Sequence, residues 1–224
     1  MQIIIAGIHT EVGKTLASAI LTSLLRADYW KPIQSGSLDN SDSHQVQKLS
    51  GATCHPEAYR FIHPLSPHQA AEYEGIHIDK NSFSLPKTDR PLIIETSGGF
   101  LSPCTSTTLQ GDLFSKWPCS WILVSKAYLG SINHTCLTVE AMRRRKLNIL
   151  GIILNQYPKH EENWLLKTTQ LSCLGRLNYE NSISKDTVKK YVCLWKPYFQ
   201  TLQIIPSLKK CRYRKSGIPL LNQS

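Results

Sequence analysis

Apolar residues in this chain gather into short unbroken runs: Ile3 to Ala6, Leu92 to Glu95, Trp121 to Val124, Ile149 to Leu154 and Leu202 to Ile205. Continuous rather than alternating runs of this length predict strands buried on both faces, as in a parallel sheet. Segments with helical spacing lie between them at Thr15 to Arg26, Ser41 to Leu49 and Ile132 to Arg145, with weaker patterns at Asn163 to Gln170 and Ser184 to Lys190. A further strand leading to Lys31 must be short, because only Ala27 to Trp30 separate it from the preceding helix. Residues 155–201 carry Trp164, Tyr179, Tyr191, Trp195 and Tyr198 without steady periodicity and read as helical cover or as a dimer surface. Strands alternating with helices predict an α/β layer fold, a mostly parallel central sheet flanked by helices, with its ligand crevice at the carboxyl ends of the strands. No repeat, low-complexity tract or linker divides the chain, so residues 1–224 are expected to form one domain.

The first apolar run ends in Gly7-Ile8-His9-Thr10-Glu11-Val12-Gly13-Lys14-Thr15, and the first helical segment begins there. A glycine-bounded loop between strand and helix turns its backbone N–H groups toward polyphosphate, and the helix N-terminus adds partial positive charge. Lys14 can reach the outer phosphates, and the Thr15 hydroxyl can ligate Mg²⁺. The loop holds one residue more between its glycines than the common G-x4-G-K-[ST] spacing. The plainer reading, a glycine turn with an incidental Gly-Lys-Thr, does not account for the strand before it and the helix after it.

Three other polar clusters fall directly after predicted strands: Lys31-Pro32-Ile33-Gln34-Ser35-Gly36, Glu95-Thr96-Ser97-Gly98-Gly99 and Gly130-Ser131-Ile132-Asn133-His134-Thr135. The last is a predicted helix start able to hold an anion. Composition constrains these clusters rather than adding to them. The formal charge of +10 comes partly from Arg143 to Lys146 and from Lys209 to Lys215. The first cluster ends a predicted helix, where cations complement the dipole, and the second lies near the chain end. Charge of this kind concentrates anionic substrates without requiring nucleic acid as a partner. No apolar run approaches the length of a membrane span and no leader pattern opens the chain, so a cytoplasmic protein with no membrane partner is expected. Seven scattered cysteines without C-x-x-C spacing favour reduced thiols. Cys54-His55 and His63/His68 lack the second half of a zinc site.

Taken in order, these motifs resemble the dethiobiotin synthetase family. Its phosphate loop is similar to G-T-D-T-x-V-G-K-T, which includes the extra residue. Its K-P-V-Q-S-G resembles Lys31 to Gly36, N-S-D resembles Asn40 to Asp42, and S-P-H-x-A-A resembles Ser66 to Ala71. Its E-G-A-G-G resembles Glu95 to Gly99, and L-G-T-I-N-H-T-L-L-T resembles Leu129 to Thr138. G-x-x-L-N and I-P-x-L resemble Gly151 to Asn155 and Ile205 to Leu208.

The resemblance implies a three-layer P-loop NTPase-like fold, a homodimer, and ring closure of 7,8-diaminononanoate with CO₂ and MgATP to give dethiobiotin, ADP and phosphate. It implies that Lys31 is catalytic, between carbamate and γ-phosphate. ATP would be held by Glu11, Val12, Gly13, Lys14, Thr15, Leu16, Asp42, Glu95, Thr96, Ser97 and Gly98, with Asn155, Pro206, Ser207 and Leu208 at adenine. Thr15, Asp42 and Glu95 would supply the protein side of the Mg²⁺ site. Thr10 and Ser35 would meet the substrate, and Gly130, Ser131, Ile132 and Asn133 of a neighbouring subunit would receive its carboxylate. Asp42 has a rival reading as a helix cap, and Asn155 as a strand-end cap. His134 reads as a structural helix residue.

The chain also departs from that pattern. Ile8-His9 stands where the family shows Thr-Asp, Thr96-Ser97 where it shows Gly-Ala, and residues 156–201 have no clear counterpart. Other functions consistent with a phosphate loop are a nucleotide switch of the partitioning-ATPase type, or a nucleotide-binding relative with weakened catalysis. A P-loop amidoligase acting on corrin carboxylates would need a glutaminase domain for which this chain has no room.

Overall fold

A computed structural model describes residues 1–204. The central sheet has seven strands: β1 (Gln2–Gly7), β2 (Asp28–Trp30), β4 (Cys54–His55), β6 (Leu92–Gly99), β7 (Ser120–Lys126), β8 (Asn148–Asn155) and β9 (Cys173–Leu177). Their spatial order is β4-β2-β6-β1-β7-β8-β9, and every adjacent pair is parallel. Two strands lie outside it as a small parallel pair, β3 (Ile33–Ser35) and β5 (Tyr59–Phe61). Ile3, Ile4 and Ile5 of β1 have no solvent exposure, nor do Ile93 and Ile94 of β6 or Leu123 and Val124 of β7. Burial on both faces is the physical reason their sequences run apolar without alternation.

The helices are α1 (Lys14–Leu25), α2 (Asp42–Ser50), α3 (Pro67–Tyr73), α4 (Gln110–Phe114), α5 (Ser131–Arg144), α6 (Lys159–Thr169) and α7 (Lys185–Thr201). From β1 the chain crosses to β2 on one side, whereas β7, β8 and β9 progress the other way. Right-handed crossovers running in opposite directions place their helices on opposite faces. Accordingly α1 packs with α2 and α7, and α5 packs with α6. The strand order reverses at β1, so the crevice opens at the ends of β1, β2 and β6.

Several expectations need correction. The segment from Leu202 is not a strand: Leu202 ends α7, its N–H donating to Tyr198 O, and Ile204 N donates back to Phe199 O. Ile205 lies outside the described residues. The helix expected over Ser184 to Lys190 continues to Thr201, through Pro197. Val188, Tyr191, Trp195 and Phe199 are buried along it at spacings of three and four, one stripe of a helix. Five cysteines (Cys54, Cys104, Cys119, Cys136 and Cys173) are free thiols, but Cys193 is disulfide-bonded. Arg143 to Arg145 are engaged within the fold: Arg143 donates to Thr169 O, Arg144 pairs with Glu140, and Arg145 pairs with Asp112 at 2.7 Å.

Candidate active site

The loop between β1 and α1 closes on Gly13, whose φ of 99° lies in the left-handed region that favours glycine. A Cβ there would stand 2.7 Å from Asn155 Nδ2, so the close approach of β8 also requires glycine. Asn155 Nδ2 donates to Val12 O at 3.0 Å and ties the loop to the end of β8. Lys14 is buried and its Nζ donates to His9 O at 3.2 Å, curling across the loop. Burial pulls its pKa down to about 8, with Glu95 opposing and the nearby Lys31 assisting. The departures Ile8 and His9 have separate fates. Ile8 is buried and donates its N–H to Val124 O, while His9 is exposed, with its ring edge-on to Tyr128 at 6.1 Å.

Next to the loop lies a compact charge cluster. Lys31, immediately after β2, pairs with Asp42 of α2, and its Nζ is 3.7 Å from Glu95 Oε1. Thr15 Oγ1 lies 2.5 Å from Asp42 Oδ1 and 3.1 Å from Glu95 Oε1. Ser18 Oγ, one helical turn after Thr15, donates to Glu95 Oε2 at 2.8 Å, and Tyr29 OH donates to the same oxygen at 2.9 Å. Ser41, not Asp42, caps α2: its side chain accepts from His44 N, which leaves the Asp42 carboxylate for Lys31 and Thr15. Gln34 Oε1 accepts from Asp42 N at 3.3 Å and sets the start of that helix.

Burial disfavours charge on Lys31, yet Glu95 and Asp42 outweigh it and raise its pKa. Burial would likewise raise the Asp42 carboxyl, but Lys31 and the Thr15 hydroxyl hold it below its ordinary value. Glu95, 1% exposed, stays raised because burial exceeds the pull of Lys31 and the neighbouring Asp42 adds to it. Thr15, Asp42 and Glu95 thus converge hard oxygens on one point beside the phosphate loop. Such a donor set fits a small divalent cation completed by phosphate oxygens and water. Among the described residues no group of three His, Cys, Asp or Glu side chains forms a cage that could hold a metal by itself.

These groups line a cleft of about 960 Å³ together with Thr10, Glu11, Ser35 and the far wall from Pro64 to Pro67. Ser35 belongs to that lining, and its Oγ is buried without a hydrogen-bond partner. Ser97 and Gly98 also line it. The Thr96 and Ser97 hydroxyls donate inward to Ile5 O and Ile33 O, and the Ser97 N–H and C=O are both taken by the Gln110 side chain.

Not every expected residue lies in the cleft. Val12 and Leu16 back the loop and α1 without lining it, and Asn155 lies behind the loop. Gly130 to Asn133 open α5 outside it. Gly130 has a φ of 95°, and Ser131 Oγ is buried without a partner. His134 Nδ1 is bonded to Tyr128 OH at 2.8 Å, in keeping with a structural role. Pro206, Ser207 and Leu208 lie outside the described residues. Sequence reasoning missed Ser18, Tyr29 and Gln34. For Ser18 the usable signal was its place one turn beyond Thr15, and for Tyr29 its place two residues before Lys31 on a short buried strand.

A phosphate loop at the switch point of a parallel sheet, with lysine and paired carboxylates at its rim, defines a P-loop nucleotide-binding protein. Residues 1–187 match the family described as "AAA domain". In overall fold the chain is similar to a Borrelia burgdorferi protein bound to AMPPNP (TM-score 0.56, 15% identity, 91% of this chain and 99% of that one). It is also similar to the MinC:MinD cell division protein complex of Aquifex aeolicus (TM-score 0.51, 13% identity, 95% and 99%). Sequence relatives are more specific. The chain is 71% identical to ATP-dependent dethiobiotin synthetase BioD of Chlamydia felis, over 88% of this chain and 94% of the relative. For the proteins of the same name from Chlamydia pneumoniae and Cytophaga hutchinsonii the identities are 61% (87% and 89% covered) and 44% (84% and 93%). The chain belongs to the ATP-dependent dethiobiotin synthetase family.

Proposed function

We propose that this protein closes the ureido ring of dethiobiotin in biotin synthesis, using ATP, CO₂ and 7,8-diaminononanoate. The observation that carries the reading is the buried Lys31 on Asp42 and 3.7 Å from Glu95, on the wall between the phosphate loop and Ser35. One substrate amine takes up CO₂ and loses a proton to give a carbamate. A carbamate oxygen attacks the γ-phosphorus and expels ADP, forming a carbamic-phosphoric anhydride. The second amine then attacks the anhydride carbonyl, loses its proton and displaces phosphate. No covalent enzyme intermediate is needed, so positioning and neutralisation of charge carry the catalysis.

Lys31 holds carbamate and γ-phosphate together as the bond forms, and Lys14 with the N–H groups of Glu11 to Leu16 holds the polyphosphate. Thr15, Asp42 and Glu95 would hold Mg²⁺, which would supply neutralisation of phosphate charge. Ser35 and Thr10 contact the carbamate and amine region. Thr96 to Gly98 flank the nucleotide, and Asn155 with Pro206, Ser207 and Leu208 serves adenine. The substrate carboxylate rests on Gly130 to Asn133 of a second copy, at the N-terminus of α5. Residues 1–224 act as one catalytic unit within a homodimer in the cytoplasm, with no nucleic-acid or membrane partner. Among the described residues, no helix is long and apolar enough to cross a membrane.

The test is phosphate release and mass detection of dethiobiotin with ATP, Mg²⁺, bicarbonate and diamine, omitting each in turn. Product formed only when all are present is expected. Diamine-independent hydrolysis without product would point to a nucleotide switch instead.

A further inference from the structure

The two oxygens of Glu95 have different surroundings. Oε1 faces Thr15 Oγ1 and Lys31 Nζ at the cleft, whereas Oε2 accepts hydrogen bonds from Ser18 Oγ at 2.8 Å and Tyr29 OH at 2.9 Å. The two donors come from different elements, Ser18 on α1 and Tyr29 on β2. Tyr29 has no solvent exposure, and β2 pairs with β6 so that Tyr29 stands opposite Ile93, two residues before Glu95. Side chains two apart on an extended segment share a face, so Tyr29 and Lys31 both reach the same carboxylate.

A carboxylate free to rotate could offer either oxygen, or both, to a cation. Two neutral donors on Oε2 remove that freedom and leave Oε1 alone on the cleft side. We propose that Tyr29 is a positioning residue which, with Ser18, fixes Glu95 as a one-oxygen ligand of the nucleotide-associated divalent cation. This rests on the role given to Glu95 in the proposed function. Partners that orient a ligand from behind typically govern metal affinity by ten- to a hundredfold. Tyr29 is buried and does not line the cleft, so its effect passes through Glu95.

The experiment measures Mn²⁺ binding to the ADP complex by electron paramagnetic resonance, and the Mg²⁺ dependence of dethiobiotin formation, in the full chain and in Tyr29→Phe and Ser18→Ala. Tyr29→Phe removes one hydroxyl and keeps the ring. Each variant is expected to weaken Mn²⁺ about tenfold and to raise the Mg²⁺ needed for half-maximal rate by a similar factor. The rate should recover as Mg²⁺ approaches saturation, and metal-free ADP affinity should hold. A wild-type protein that binds no Mn²⁺ with ADP and makes no dethiobiotin would overturn the functional reading itself. A functional wild type whose variants bind Mn²⁺ unchanged, or lose rate equally at all Mg²⁺ levels, would overturn the positioning role alone. Should Tyr29→Phe fail to fold, Ser18→Ala decides, since it removes the other donor to the same oxygen.

Discussion

Lys31 occupies a place where removing its charge would leave two carboxylates facing each other out of water. Lys31→Gln is therefore expected to lower the rate of ring closure by about 10³-fold, the scale of losing an electrostatic stabiliser in a dry site. ADP binding, followed by calorimetry, should persist, and unchanged turnover would remove Lys31 from its role. Lys14 gives a pH signature. With its pKa near 8 in the free protein, part of the population is neutral at slightly alkaline pH. Polyphosphate favours the charged form and raises that pKa. Binding should therefore take up close to one proton above pH 8, and affinity should fall as pH climbs from there. Calorimetry in buffers of different ionisation enthalpy reads the uptake directly; no uptake at pH 9 would exclude the linkage. Lys14, Thr15, Lys31 and Glu95 were legible in sequence because each belongs to a cluster at a strand end, and Asp42 only through the family resemblance. Tyr29 and Ser18 were not, because a hydrogen bond between residues 66 or 77 positions apart leaves no local pattern.

At the element scale, a polar clasp ties together α6, β9 and α7. Glu162 of α6 accepts from Arg176 of β9 at 2.9 Å, and Arg176 donates to Tyr198 OH of α7 at 2.8 Å. The hydrogen bonds from Arg176 hold the buried Glu162 carboxyl down at about 2, against the cost of burial. Because its folded pKa lies below the ordinary value of 4.5, its contribution is complete above pH 4.5 and disappears as pH falls toward 2. Glu162→Gln should cost about 3 kcal/mol at neutral pH. It should also flatten the acid limb of the stability curve, as chemical denaturation at pH 7 and pH 3 would test. Gly175 beside it cannot take a side chain: a Cβ would lie 2.3 Å from the Trp195 ring. Gly175→Ala is expected to lower the melting temperature by several degrees, corresponding to about 2 kcal/mol. β9, with five residues, left no pattern in the sequence, and Pro197, which argues locally against a helix, cut short the reading of α7. The strands β3, β4 and β5, at two or three residues each, are too short to show any period.

Across the whole molecule, the long buried strands follow from the apolar runs but their spatial order does not, while identities of 13–15% to the fold neighbours speak only to architecture. The dimer is where the proposed function needs more than one copy. Lys31→Gln and Ser131→Leu proteins are each expected to be nearly inactive. After mixing and exchange, half the dimers would carry both defects in one site and none in the other, restoring about a quarter of wild-type activity. Failure to complement would mean that each copy supplies its own carboxylate-binding helix. The small β3–β5 pair stands apart from the seven-stranded sheet, yet it carries Gln34 and Ser35 and leads into the wall from Pro64 to Pro67. The wall that the proposed function gives to the diamine is thus carried by strands outside the sheet that presents the phosphate loop, and the Ser97 hydroxyl on Ile33 O ties the two together. Changes in this annex would leave the pairing of β1 with β6 as it is, and would reach the ATP side through the Gln34–Asp42 and Ser97–Ile33 bonds.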